Sequence, residues 1–202
     1  MRRTRLLVTA TLAGAGLLTT LSAGTAAAAG PAAAAPERSA AAAAGCAVTW
    51  GSRSKSGTGT GDRPLTDVRT GRHGCYDRMV LDIRPGTPAG SASYRVRYVD
   101  RLYQDGSGRP LTVGGGAVLE IVASAPSHDP ETFEPTYPGR AGEPLPGVQL
   151  TGYRTFRDAR FGAGYEGTTQ LGLGVRARLP FRVLDLGDRL VVDVAHTWTP
   201  LR

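Results

Sequence analysis

The sequence predicts an all-β domain of two packed sheets, a β-sandwich or partly closed barrel of about eight short strands with internal pseudo-symmetry. Three observations predict it. A seven-residue pattern of period two occurs twice, as Asp77-Arg78-Met79-Val80-Leu81-Asp82-Ile83 and as Asp188-Arg189-Leu190-Val191-Val192-Asp193-Val194. Between the copies lie further short alternating runs separated by Gly and Pro turns. After residue 45 no stretch carries a 3.6-residue apolar stripe, so the segments are strands and must bury their dry faces against one another.

In chain order, residues 1–29 read as a secretory signal peptide. Arg2, Arg3 and Arg5 form a basic start, an uncharged stretch follows from Leu6 to about Leu21, and small residues offer cleavage near Ala29. Residues 30–45 are Ala/Pro-rich and read as a linker that buries no core. Residues 46–202 form the β domain. The chain carries a formal charge of +7, and subtracting the three leader arginines leaves +4. A balance that mild suits an anionic wall or surface and argues against nucleic acid, which needs a clustered basic patch. The exported part is expected to hold no transmembrane helix.

Both cysteines, Cys46 and Cys75, follow the leader, and an even count in an exported chain favours a disulfide. The Gly/Ser/Thr-rich segment between them has few apolar residues besides Val48, Trp50, Leu65 and Val68, so a staple there is worth roughly 3.5 kcal/mol by chain entropy. The competing reading, lipoprotein anchoring through Cys46, is weaker: Ala43-Ala44-Gly45-Cys46 stands far past the apolar stretch and lacks an aliphatic residue three places before the cysteine.

Strands are expected at Asp77–Ile83, at Tyr94–Val99 with Tyr94, Val96 and Tyr98 inward, at a short edge over Leu111–Val113, and at Ala117–Ala123. Others are expected around Gly152–Asp158, Thr168–Val175, Phe181–Leu186 and Arg189–Ala195. Gly162 to Gly167 reads as a glycine-rich hairpin turn, because the strand after it removes the helix that a phosphate-binding G-x-G-x-x-G loop requires. Gly172 and Gly174 leave one strand face bare, for close packing or as a flat binding strip, with packing favoured. Trp50 and Trp198 are read as core or end plugs.

The repeated strand carries a further expectation. If its copies are hydrogen-bonded neighbours, antiparallel pairing with Val80 opposite Val191 sets Arg78 against Asp193 and Asp82 against Arg189, whereas a parallel register would oppose like charges. The rival is that pseudo-symmetry puts the copies on different sheets.

Ser124–Val148 stands apart, with six prolines and four acids. It is expected to be a mobile loop dispensable for folding. Phe133 and Tyr137 on it either stack on a carbohydrate or peptide ligand or fold back as a lid, and both readings stay open. Glu131 and Glu134 could be cast as the carboxylates of a small wall hydrolase, but a proline-rich loop is a poor mount for that pair. His73, His128 and His196 are the only histidines and form no ligand set with recognisable spacing. Ser107 lacks the first glycine and the helix of a nucleophile elbow. No catalytic residue, metal or cofactor is therefore expected.

Trp50-Gly51, Cys75-Tyr76-Asp77-Arg78, Tyr94 to Val99, Gly164 to Gly174, Pro180-Phe181-Arg182-Val183 and Arg189 to Val194, in that order, resemble the AMIN-like domain of secreted proteins and lipoproteins of high-GC Gram-positive bacteria. That group is similar to the AMIN domain of N-acetylmuramoyl-L-alanine amidases. The resemblance implies two packed sheets with internal symmetry and a non-catalytic role. It implies a secreted, wall-associated protein that binds peptidoglycan or another wall glycan, or a wall-associated protein partner. The alternatives are the small hydrolase and a modulator of a wall enzyme.

Overall fold

The computed structural model describes residues 46–61, 63–86 and 90–198. The predicted leader and linker lie outside them. Eleven strands are present among the described residues: β1 (Lys55–Gly57), β2 (Leu65–Arg72), β3 (Tyr76–Ile83), β4 (Tyr94–Val99), β5 (Leu102–Tyr103), β6 (Pro110–Leu111), β7 (Ala117–Ala123), β8 (Phe156–Tyr165), β9 (Thr168–Val175), β10 (Phe181–Asp185) and β11 (Arg189–Ala195). They form a five-stranded sheet in the order β1-β4-β7-β9-β8, a four-stranded sheet in the order β10-β11-β3-β2, and the small hairpin β5-β6, all antiparallel. Among the described residues no helix is long and apolar enough to cross a membrane.

Alternation decides which face is dry. Met79, Leu81 and Ile83 of β3 and Leu190, Val192 and Val194 of β11 turn inward. They meet Val96, Leu119, Ile121, Leu171 and Leu173 of the larger sheet, all fully buried. Each such side chain contributes roughly 1.5–3 kcal/mol of burial, so the two inner faces hold the sheets together.

The repeated strands are neighbours in one sheet. Val80 lies opposite Val191, Arg78 opposite Asp193 and Asp82 opposite Arg189, and the antiparallel pairing relates the two copies by a local two-fold. The first charge pair forms as expected. The second does not: Asp82 takes two hydrogen bonds from Arg69 of β2, at 2.5 and 3.0 Å, and Arg189 turns to Asp188 at 3.3 Å.

Strand β2 has no counterpart in the expected set, because Leu65 and Val68 are three residues apart and break the alternation. A bulge between Leu65 and Asp67 absorbs the extra residue, so both side chains reach the core. Two bulges in β8, at Phe156/Asp158 and Phe161/Ala163, likewise bring Phe156, Ala159 and Phe161 to one face. That strand therefore runs from Phe156 to Tyr165, beyond the expected Asp158, and the turn after it shrinks to Glu166-Gly167, with φ of 44° and 75°. Two consecutive residues at positive φ give the tight hairpin whose twist matches antiparallel strands.

The outer face of the five-stranded sheet is covered by the segment around β5 and β6. Gly172 packs under Leu102 and Val113, and a Cβ on Gly174 would collide with the Gly114 carbonyl. The bare glycine face is thus a packing surface. Beside it, Glu120 is buried and takes hydrogen bonds from Arg97 at 2.7 Å and from Gln170 at 2.9 Å.

Ser124–Val148 corrects its expectation. Ala125, Tyr137 and Leu145 belong to the core cluster. Thr136 donates to the Leu65 carbonyl at 2.7 Å, and the backbone N–H of Leu145 donates to Ala159 O at 3.0 Å. It contributes none of the eleven strands, yet Pro144 pairs with Arg160 in an antiparallel bridge along β8, and Thr136 ties the segment to β2.

Candidate functional site

Residues pointing outward from the four-stranded sheet are where charge and aromatic surface converge. Alternation along β3 puts Tyr76, Arg78 and Val80 on this face, and the register of β11 and β10 brings Asp193 and Arg182 alongside. Asp193 has a fully buried side chain. Arg78 binds both of its oxygens, Oδ1 with Nε at 2.7 Å and Oδ2 with Nη2 at 2.9 Å, and Arg182 donates Nε to the same Oδ2 at 2.8 Å. The Asp193 hydrogen bond is the main reason that the Arg78 guanidinium is held above its ordinary value. Two guanidinium charges thus share one carboxylate.

Aromatic rings frame these arginines. Arg182 lies 4.4 Å over the Trp50 ring and 5.4 Å from Tyr76, Arg78 lies 5.3 Å from Tyr76, and His73 stacks on Tyr76 at 4.5 Å. Trp50 and Tyr76 meet edge to face at 5.7 Å. Such contacts each contribute about 0.5–1 kcal/mol at exposed sites and fix the plane of each guanidinium.

The segment carrying Trp50 is held in place from three sides. The Cys46–Cys75 disulfide forms as expected and ties it to the residue preceding Tyr76. The Phe181 N–H donates to Gly51 O at 2.8 Å, and Lys55 donates to Trp50 O at 3.0 Å. Behind the disulfide, buried Asp77 accepts the N–H groups of Thr155 and Phe156 at 2.6 and 3.1 Å, and faces His196 Nε2 at 3.0 Å. The first Asp of the repeat is thus a latch between the sheets.

Phe133 and Tyr137 are not brought together. Phe133 is 75% exposed with φ of 59°, its ring 6.0 Å from His128. Tyr137 is buried in the core, its hydroxyl donating to Pro146 O at 3.1 Å. Glu131 and Glu134 are exposed on the same loop. Trp198, expected as a plug, is 55% exposed and donates its indole N–H to Arg178 O at 2.7 Å. Among the described residues no group of three or more His, Cys, Asp or Glu is placed to hold a metal ion.

A cleft of about 420 Å³ lies between Arg63, Arg84, Asp129 and Glu131. Its cations are already engaged internally: Arg63 donates to the carbonyls of Arg84, Gly90 and Gly187, and Arg84 binds Asp129 at 2.6 Å. Arg182 differs. Its terminal nitrogens have no hydrogen-bond partner among the described residues and its side chain is 34% exposed.

Fold and site define an all-β module of two packed antiparallel sheets, with an arginine and aromatic strip on the outer face of the smaller one. The chain belongs to the AMIN-like domain family, whose model matches residues 63–196. Neither a curated protein nor a solved structure matches it. Domains of this family are generally non-catalytic and related to the AMIN domains that target the cell wall. The disulfide and the family are consistent with an extracellular location.

The strip was legible only in part. Arg78 and Asp193 stand out in the repeat, whereas Arg182, Tyr76 and His73 become neighbours through the sheet order. Outward positions on three adjacent strands are the signal, and they can be read only once the register is known.

Proposed function

We propose that this is a secreted, non-catalytic module that localises to the cell wall by holding wall glycan or its peptide, peptidoglycan being the leading candidate, against the outer face of the four-stranded sheet. The observation that carries the reading is the strip of Trp50, Tyr76, Arg78 and Arg182, in which guanidinium groups lie over aromatic rings on one sheet face. Aromatic faces suit the apolar C–H faces of sugar rings, and arginine forks suit the carboxylates of an anionic wall. Family membership supports the same setting. Exposed Glu131 and Glu134 on a loop give the hydrolase alternative no comparable support.

The test is a pull-down of the exported protein on purified sacculi beside a turnover assay on the same material. Retention without release of soluble fragments is the expected result. Fragment release, or failure to sediment with sacculi, contradicts it.

A further inference from the structure

We infer that the Arg78–Asp193–Arg182 cluster is a built receptor for a carboxylate carried on a sugar ring or peptide stem. This rests on the wall-binding reading and specifies the group it recognises. A free arginine on a surface is costly to order, since its rotamer freedom must be given up on binding. Here that ordering is already present. Asp193, with a fully buried side chain, grips Arg182 through Nε alone at 2.8 Å, and both terminal nitrogens are without a hydrogen bond among the described residues. Arg78 uses Nε and Nη2, so its Nη1 is also without a partner among the described residues.

Stacking on Trp50 fixes the plane of the Arg182 fork. One carboxylate cannot neutralise two guanidiniums, so a second anion is favoured by charge and by the matching fork geometry. Both carboxylate and phosphate fit a fork. The aromatic rings of Trp50 and Tyr76 beside the fork favour a carboxylate on a scaffold with an apolar face, which a polyol phosphate chain lacks.

The experiment is calorimetric titration of the full exported chain with a soluble muropeptide bearing free carboxylates. The same muropeptide with its carboxylates amidated and a glycerol phosphate polymer are titrated in parallel. The variants are Arg182→Gln and Arg182→Lys; Arg78 still holds Asp193 in both, and unfolding curves establish that they fold. The inference predicts that amidation and Arg182→Gln each weaken binding at least about tenfold, that the two losses do not add, and that lysine restores little, because it keeps the charge and loses the fork. Unchanged affinity in Arg182→Gln, equal binding of the amidated muropeptide, or stronger binding of the phosphate polymer would overturn it. If wild type and Arg182→Gln sediment equally with sacculi, this inference fails while wall binding stands; if wild type does not sediment, the wall-binding reading itself fails.

Discussion

Arg78 lies directly opposite Asp193 across the β3–β11 pair and binds its buried carboxylate through two N–H groups, at 2.7 and 2.9 Å. Asp193 has a second guanidinium, that of Arg182, whose Nε shares Oδ2 with Arg78 Nη2. Arg78→Ala alone therefore leaves the buried charge compensated and should cost about 1.5–3 kcal/mol, the worth of hydrogen bonds to a charged group. Removing both arginines strands it, and the double variant should lose about 3–5 kcal/mol beyond the packing of the two stems. Urea unfolding of the two single variants and the double one measures the coupling. Strict additivity would show that the two arginines act independently.

Alkaline pH should unfold the domain through its buried tyrosines. Burial pushes the Tyr98 hydroxyl up to about 12, against a smaller opposing effect of its hydrogen bond to Leu179, and burial raises Tyr137 as well. A folded-state value above the unfolded one near 10 means the contribution is fully present below pH 10 and is lost as pH rises through about 12. Melting temperature should fall across that window, with tyrosinate absorbance from these two rings appearing only with unfolding. Tyr98→Phe should flatten part of the decline; an unchanged profile in that variant would remove Tyr98 from the account.

The loop Ser124–Val148 is a structural lid, so replacing it with a short Gly/Ser linker should collapse the fold. The single change Tyr137→Ala should cost about 3–5 kcal/mol, as for other large aromatic truncations in cores. Circular dichroism melts check both. A replacement that melts within a few degrees of wild type would contradict the lid.

Gly174→Ala tests the covered face of the larger sheet. The added methyl meets the Gly114 backbone, which cannot swing aside like a side chain. Overpacking of this kind costs typically 1–3 kcal/mol. Hydrogen exchange should show faster opening of the 102–116 segment, and unaltered protection there would mean that the covering segment is not seated on Gly174.

Much of this fold could be read from residues alone. Opposite charges two residues away on each strand select the antiparallel register with Val80 facing Val191, once the two copies are neighbours in one sheet. The same logic failed at Asp82 because it considered one neighbour only; β2 lies on the far side of β3 and brings Arg69 closer than Arg189. Strand β2 carries no period-two signal because its bulge places residues three apart on one face. Tyr137 was ambiguous because what binds its segment is largely backbone hydrogen bonding, which periodicity does not record. The strip draws on the segments around Trp50, Tyr76, Arg182 and Asp193, joined by sheet order and the Cys46–Cys75 bridge.

A chemical-shift map of isotope-labelled protein with a soluble muropeptide locates the ligand on the surface. The account predicts that shifts cluster on the Trp50 indole N–H, Tyr76, and the Nε–H groups of Arg78 and Arg182, leaving Phe133 and its loop unmoved. Shifts gathered around His128 and Phe133, or absent from the outer face of the four-stranded sheet at saturating ligand, would contradict it.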